Sequence, residues 1–126
     1  MEIKVSFPGG QAVDASFAGL SVHTHQDGSA PSPFAFFLAS LATCAGFYVL
    51  SFCQQRGLPI DQLKLTQTDE RDPKTHLVTG VHLSIEAGPD IPEKYYEAII
   101  RSAAQCAVKR ALENPPQIKV TVNGKG

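Results

Sequence analysis

The chain has 126 residues, of which 43% are hydrophobic and 18% charged, with a formal net charge of −1. That is enough chain for one domain, residues 1–126, with its own core, and the near-neutral charge gives no electrostatic basis for binding nucleic acid or an anionic membrane. Three cysteines, an odd number, do not make a disulfide framework.

Ile3, Val5 and Phe7 alternate with Glu2, Lys4 and Ser6. This predicts a half-buried strand from the first residues onward, rather than a secretory signal. A cytoplasmic location with reduced thiols is therefore expected. Pro8-Gly9-Gly10 marks a turn, and Val13, Ala15 and Phe17 alternate again, so the first two runs form a hairpin. After Gly19, Leu20 to His25 gives a third short strand.

Pro31 to Gly57, PSPFAFFLASLATCAGFYVLSFCQQRG, is predicted as a long central helix. Ser32 stands at the N-cap and Pro33 at the first helical position, where its missing N–H costs nothing. Gly57, followed by Leu58 and Pro59, stops it. Between Phe34 and Cys53 there is no charge, and apolar residues occur on every face. Such a helix is either buried on all sides or spans a bilayer. Ser40, Thr43, Gly46 and Ser51, with no basic cluster at either end, argue against the membrane. The remaining strands each have one apolar face that needs a cover, and the helix supplies it. A second copy of the chain is expected to bury what one small sheet cannot.

Beyond the helix, Ile60 to Arg71 alternates at Leu63, Leu65 and Gln67, and Asp72-Pro73-Lys74 makes a tight turn. Thr75 to Ala87 is the partner strand, with Val81, Leu83 and Ile85 inward. Asp90-Ile91-Pro92-Glu93 reads as a capping box opening a second helix. On it Tyr95, Ile99, Ser102/Ala103, Cys106 and Arg110 form one continuous face. It stops before Asn114-Pro115-Pro116, and Ile118, Val120 and Val122 predict a last strand. The layout is α+β, antiparallel sheet packed against helices.

The chemistry centres on cysteine. Cys53 lies nine residues from Cys44 on one helix, roughly 13.5 Å of rise, too far to bridge; it reads as a buried, inert thiol. Cys44 and Cys106 sit on the two helical patterns. His23 and His25 share one strand face and His76 and His82 another, but further ligands at metal-site spacing are not evident. No cofactor motif occurs either. Phe34, Phe37 and Phe47 would line an apolar pocket beside Cys44.

Two segments resemble a known family. APSPFAFFLASLATC, Ala30 to Cys44, resembles the opening of the central helix in the OsmC/Ohr family of osmotically induced and organic hydroperoxide resistance proteins. SAAQCAVKRAL, Ser102 to Leu112, is similar to that family's second cysteine motif, and the order of elements matches from Met1 to Val122. The resemblance implies an OsmC-like fold, an intertwined homodimer with two long central helices between sheets and active sites at the subunit interface. It also implies a thiol peroxidase that reduces small apolar hydroperoxides, with Cys44 as nucleophile and Cys106 as resolver, recycled by an external dithiol without a cofactor.

Two departures stand out. Better-characterised members activate the first cysteine with an arginine from the N-terminal half and a glutamate just after the proline. Here no arginine precedes Arg56, and Phe34 and Ala35 follow Pro33. The chain is thus closer to the OsmC-like branch that keeps the cysteines and the Ala-Pro-Ser-Pro lead-in. Arg110, one turn from Cys106, is the candidate replacement cation if the helices pack; the competing reading sends it to solvent. The competing function is a non-catalytic module that holds an apolar ligand or partner in the interfacial pocket.

Overall fold

Two antiparallel ladders and one long helix are the largest elements of the fold. The computed structural model describes residues 1–126 and divides them into two compact units, Met1–Ser40 and Leu41–Gly126.

In the first unit, β1 (Lys4–Gly9), β2 (Ala12–Phe17) and β3 (Leu20–Thr24) form a meander in the order β1-β2-β3. The first hairpin forms as expected, but Pro8 and Gly9 belong to β1, Gly9 pairs with Ala12, and the turn is Gly10-Gln11, with a register irregularity between Ser6 and Gly9. The β2–β3 connection is tighter. Phe17 pairs with Leu20, leaving Ala18 and Gly19 as a two-residue loop with both φ values positive, +50° and +77°. That geometry matches the right-handed strand twist and explains why a glycine is needed there. One expectation fails: β1 is exposed along its whole length, with Phe7 79% accessible, so it is not half-buried within the chain.

The helix α1 runs Pro33–Gln55, and its ends follow the local chemistry. Ser32 Oγ accepts the Ala35 N–H at 3.2 Å, the N-cap bond that the sequence predicts. At the other end Gly57 has φ +65°, Leu58 N–H bonds the Cys53 carbonyl at 2.9 Å, and Gly57 N–H bonds that of Gln54 at 3.3 Å. This paired closure is a Schellman motif, and it satisfies carbonyls that the helix end would otherwise leave bare. By length and hydropathy α1 could cross a bilayer.

Within the second unit α1 supplies the spine of the core. Leu41, Ala45, Val49, Phe52 and Cys53 are buried at three-to-four spacing, and Ile91, Ile99, Ala103 and Cys106 pack against them. The opposite face is not covered in the single chain, where Phe47 is 62% exposed. Burial on all sides is therefore not what one chain achieves. β4 (Lys64–Arg71) pairs with β5 (Val78–Glu86), with Leu65 opposite Ile85 and Gln67 opposite Leu83. Leu65, Leu83 and Ile85 pack on the core, as their alternation predicts, whereas Val81, expected inward with them, is exposed. In the β4–β5 loop the Asp72 carboxylate accepts the N–H groups of Lys74 and Thr75, both at 2.8 Å. His76 lies in that loop with φ +60°, not on a strand face beside His82.

Three corrections fall in the last third of the chain. The capping box at Asp90 does not form; a short 3-10 turn, Glu93–Tyr95, starts after Pro92 with no side chain on its N–H groups. The second helix is not continuous. α2 spans Tyr96–Ala104, the backbone turns at Gln105 and Cys106, and α3 spans Ala107–Glu113. Finally, Ile118 to Val122 pairs with no strand: Ile118, Val120 and Val122 are 86%, 77% and 70% exposed, and only an isolated bridge, Val122 to Lys125, forms beyond them. Alternation alone does not make a strand; its stability comes from pairing with a neighbour.

Candidate thiol site

The break between α2 and α3 builds the site. Cys106 is the N-cap residue of α3, with φ −48° and ψ 128°, and its sulfur accepts the Lys109 N–H at 3.5 Å. The side chain is fully buried. Its S–H is directed at the Leu41 carbonyl oxygen on α1, a long contact of 3.9 Å. Cys44 is half-buried on α1, and the first N–H groups of α3 act on it electrostatically.

The surroundings of the two thiols push them apart in acidity. The Val108 N–H, the Cys106 thiol and the Ala107 N–H hold Cys44 below the usual thiol range, against a smaller opposing effect of burial. These donors stabilise a thiolate more than a thiol. Cys106 moves the other way. Burial raises it first, and the neighbouring Cys44 sulfur raises it further. The arrangement thus favours ionisation of Cys44 over that of Cys106. Iodoacetamide alkylation followed against pH should reach its half-maximal rate for Cys44 below that of an unstructured cysteine peptide, and for Cys106 above it. A Cys44 midpoint at or above the peptide value would contradict the hydrogen-bond assignment.

The other expected residues are placed as follows. Cys53 is fully buried, and burial raises its thiol, as for an inert core cysteine. Arg110 is exposed on α3, its N–H bonded to the Cys106 carbonyl at 3.0 Å. The groups that lower Cys44 are N–H groups and a thiol, not a guanidinium. Phe34 and Phe37 stack with ring centroids 5.3 Å apart and line a hollow with Gln26, Ser32 and Pro33. Phe47 contacts Tyr48 edge-on at 5.7 Å and does not line that hollow, and neither does Cys44. His23 pairs with Asp14, and His25 lies 2.8 Å from the Asp27 carboxylate.

The residues that sequence reasoning missed are Ala107 and Val108, which act through their backbone. Side-chain chemistry gives no signal for them. The one available clue is the position of Cys106 itself, since a cysteine can stand in for serine at an N-cap.

Similarity to known proteins agrees with this architecture. The family model for OsmC-like proteins matches residues 26–121. No curated protein matches the chain significantly. Among solved structures, a hypothetical protein from Aquifex aeolicus VF5 is 15% identical, with a TM-score of 0.75 over 94% of this chain and 90% of that one. An OsmC like protein from Mycoplasma pneumoniae is 18% identical, with a TM-score of 0.72 over 97% and 93% of the two chains. The organic hydroperoxide resistance protein OhrB of Bacillus subtilis is also 18% identical, with a TM-score of 0.57 over 94% and 96%. At these identities the structures establish a shared fold, and the fold, the family match and the order of elements agree: the chain belongs to the OsmC-like family.

Proposed function

We propose that this protein reduces organic hydroperoxides through Cys44 and Cys106. The observation that carries the reading is the buried Cys106 sulfur at the α2–α3 turn, set on the Leu41 carbonyl one helical turn before Cys44, with the two thiols shifted in opposite directions. Cys44 thiolate attacks the terminal oxygen of R–O–O–H, the O–O bond breaks, and the alkoxide takes a proton to leave as the alcohol. Cys44 is then a sulfenic acid. Cys106 attacks that sulfur and gives up its proton, which leaves with the departing hydroxide as water, and the disulfide closes. An external dithiol returns both cysteines to thiols and is itself oxidised to a disulfide. The α3 N–H groups that favour the Cys44 thiolate do the work that a charged partner would otherwise do. The name of the Bacillus subtilis relative is consistent with this chemistry.

The working form in this reading is a cytoplasmic homodimer that binds neither membrane nor nucleic acid. Phe47 on α1, Val5 and Phe7 on β1, and Ile118, Val120 and Val122 near the C-terminus are apolar and exposed in the single chain. Sedimentation velocity at micromolar concentration should give twice the chain mass without detergent. A stable folded monomer there would overturn the dimer.

A second reading has its own support in the hollow lined by Phe34, Phe37 and Pro33, which does not include Cys44. In that version the protein binds an apolar ligand and its cysteines are bystanders. Hydroperoxide consumption with excess dithiothreitol separates the two. Turnover above the reductant-only rate supports the peroxidase, and none supports the binding module.

A further inference from the structure

We propose that Ser102 is a positioning residue that holds the Cys106 sulfur against Cys44 by pinning the α2–α3 junction to α1. Its functional meaning rests on the Cys44–Cys106 reading above. Ser102 Oγ donates to the Tyr48 carbonyl at 3.0 Å, a bond between α2 and α1. The Cys106 S–H contact to the Leu41 carbonyl is the second tie between the same two segments. Leu41 precedes Cys44 by three residues and Tyr48 follows it by four. The two ties therefore bracket the nucleophile, one helical turn to either side.

The backbone between the ties is closed. Gln105 N–H bonds the Ser102 carbonyl at 3.1 Å, and Cys106 N–H bonds that of Ala103 at 3.3 Å. Fixing Ser102 thus fixes Cys106 through one hydrogen-bonded turn. A serine inside a helix usually bonds a carbonyl of its own preceding turn. Here the hydroxyl crosses to the neighbouring helix instead, using the second lone pair of a carbonyl in the interior of α1. Of the two ties the S–H contact is the weaker and is necessarily lost when the disulfide forms. Ser102 is the tie that persists through the redox cycle.

The test measures how readily the two sulfurs join, without any hydroperoxide. Wild type, Ser102→Ala, Ser102→Thr and Ser102→Val are equilibrated in graded mixtures of glutathione and glutathione disulfide. One glutathione disulfide is converted to two glutathione molecules for each Cys44–Cys106 bond formed, and that bond is quantified by peptide mass mapping. Urea melts on the same samples verify that each variant is folded. A hydrogen bond of ordinary net strength predicts an equilibrium constant about five- to tenfold lower for the alanine variant than for wild type. Threonine keeps the hydroxyl and should stay within about twofold of wild type, while the nearly isosteric valine falls with alanine. The Thr/Val comparison decides the matter alone if alanine does not fold. Equal constants across the set, or threonine falling with valine, would overturn the role of the hydroxyl. Because no peroxide enters the assay, failure of peroxide reduction in the wild type would count against the proposed function and leave this result standing.

Discussion

Replacing Cys44 with serine should lower hydroperoxide turnover by at least about a thousandfold, as expected when the attacking atom itself is removed. Serine at this position keeps the volume and the N–H donors of Ala107 and Val108, but its hydroxyl does not ionise near neutral pH. Cys106→Ser should behave differently. The first oxidation proceeds, Cys44 stops at the sulfenic acid, and each chain traps one equivalent of dimedone. Turnover with a dithiol should persist at a reduced rate, because the external thiol must then attack the sulfenic acid directly. Cys53 is buried away from the pair, and its replacement should leave the first oxidation unchanged. Stopped-flow consumption of cumene hydroperoxide with dimedone trapping of the three variants checks the set. Wild-type rates in Cys44→Ser would remove Cys44 from the mechanism.

The second large effect concerns the core. Val49 is 1% exposed and sits between Ala45 and Cys53 on the buried face of α1, with no cation among the core residues around it. Val49→Asp should cost about 4 kcal/mol or more, since a carboxylate there is either desolvated without a partner or must take up a proton. Domains of this size have about 5–15 kcal/mol in total, so the variant should be largely unfolded or insoluble. Val49→Ala, which removes two methyl groups without adding charge, should cost about 1–3 kcal/mol and remain folded. Urea melts of the two variants give the comparison. A Val49→Asp protein that expresses solubly and melts like wild type would contradict the core assignment.

Which parts of this were legible in the sequence depends on how local the cause is. The ends of α1 are set by Ser32, Pro33 and Gly57 acting within a few residues of themselves, so reading them needs nothing from the rest of the chain. The β4–β5 pairing is similarly marked by its alternation and by the Asp72 loop. The break at Gln105 and Cys106 is the opposite case. Ser-Ala-Ala-Gln-Cys-Ala-Val-Lys-Arg-Ala-Leu contains no glycine or proline, and its intrinsic preference is for one unbroken helix. Tertiary packing overrides that preference, because a turn at Cys106 buries its sulfur and brings the α3 N–H groups to Cys44. The two cysteines could be read for this reason, and the backbone N–H groups that lower Cys44 could not. Side chains are written in the sequence, whereas a backbone N–H acquires its target only when the chain folds. Ile118 to Val122 shows the same limit, since a strand pattern needs a partner and here the segment pairs with no strand.

The central claim is that Cys44 and Cys106 form one redox unit, and a single-turnover thiol count tests it most directly. Fully reduced protein receives one equivalent of cumene hydroperoxide in the absence of reductant, is quenched with an alkylating agent, and is digested for peptide mass mapping. The account predicts loss of two thiols per chain, both in a Cys44–Cys106 disulfide, with Cys53 alkylated as a free thiol and one equivalent of cumyl alcohol released. Three alkylated thiols and unconsumed hydroperoxide after prolonged exposure would contradict it.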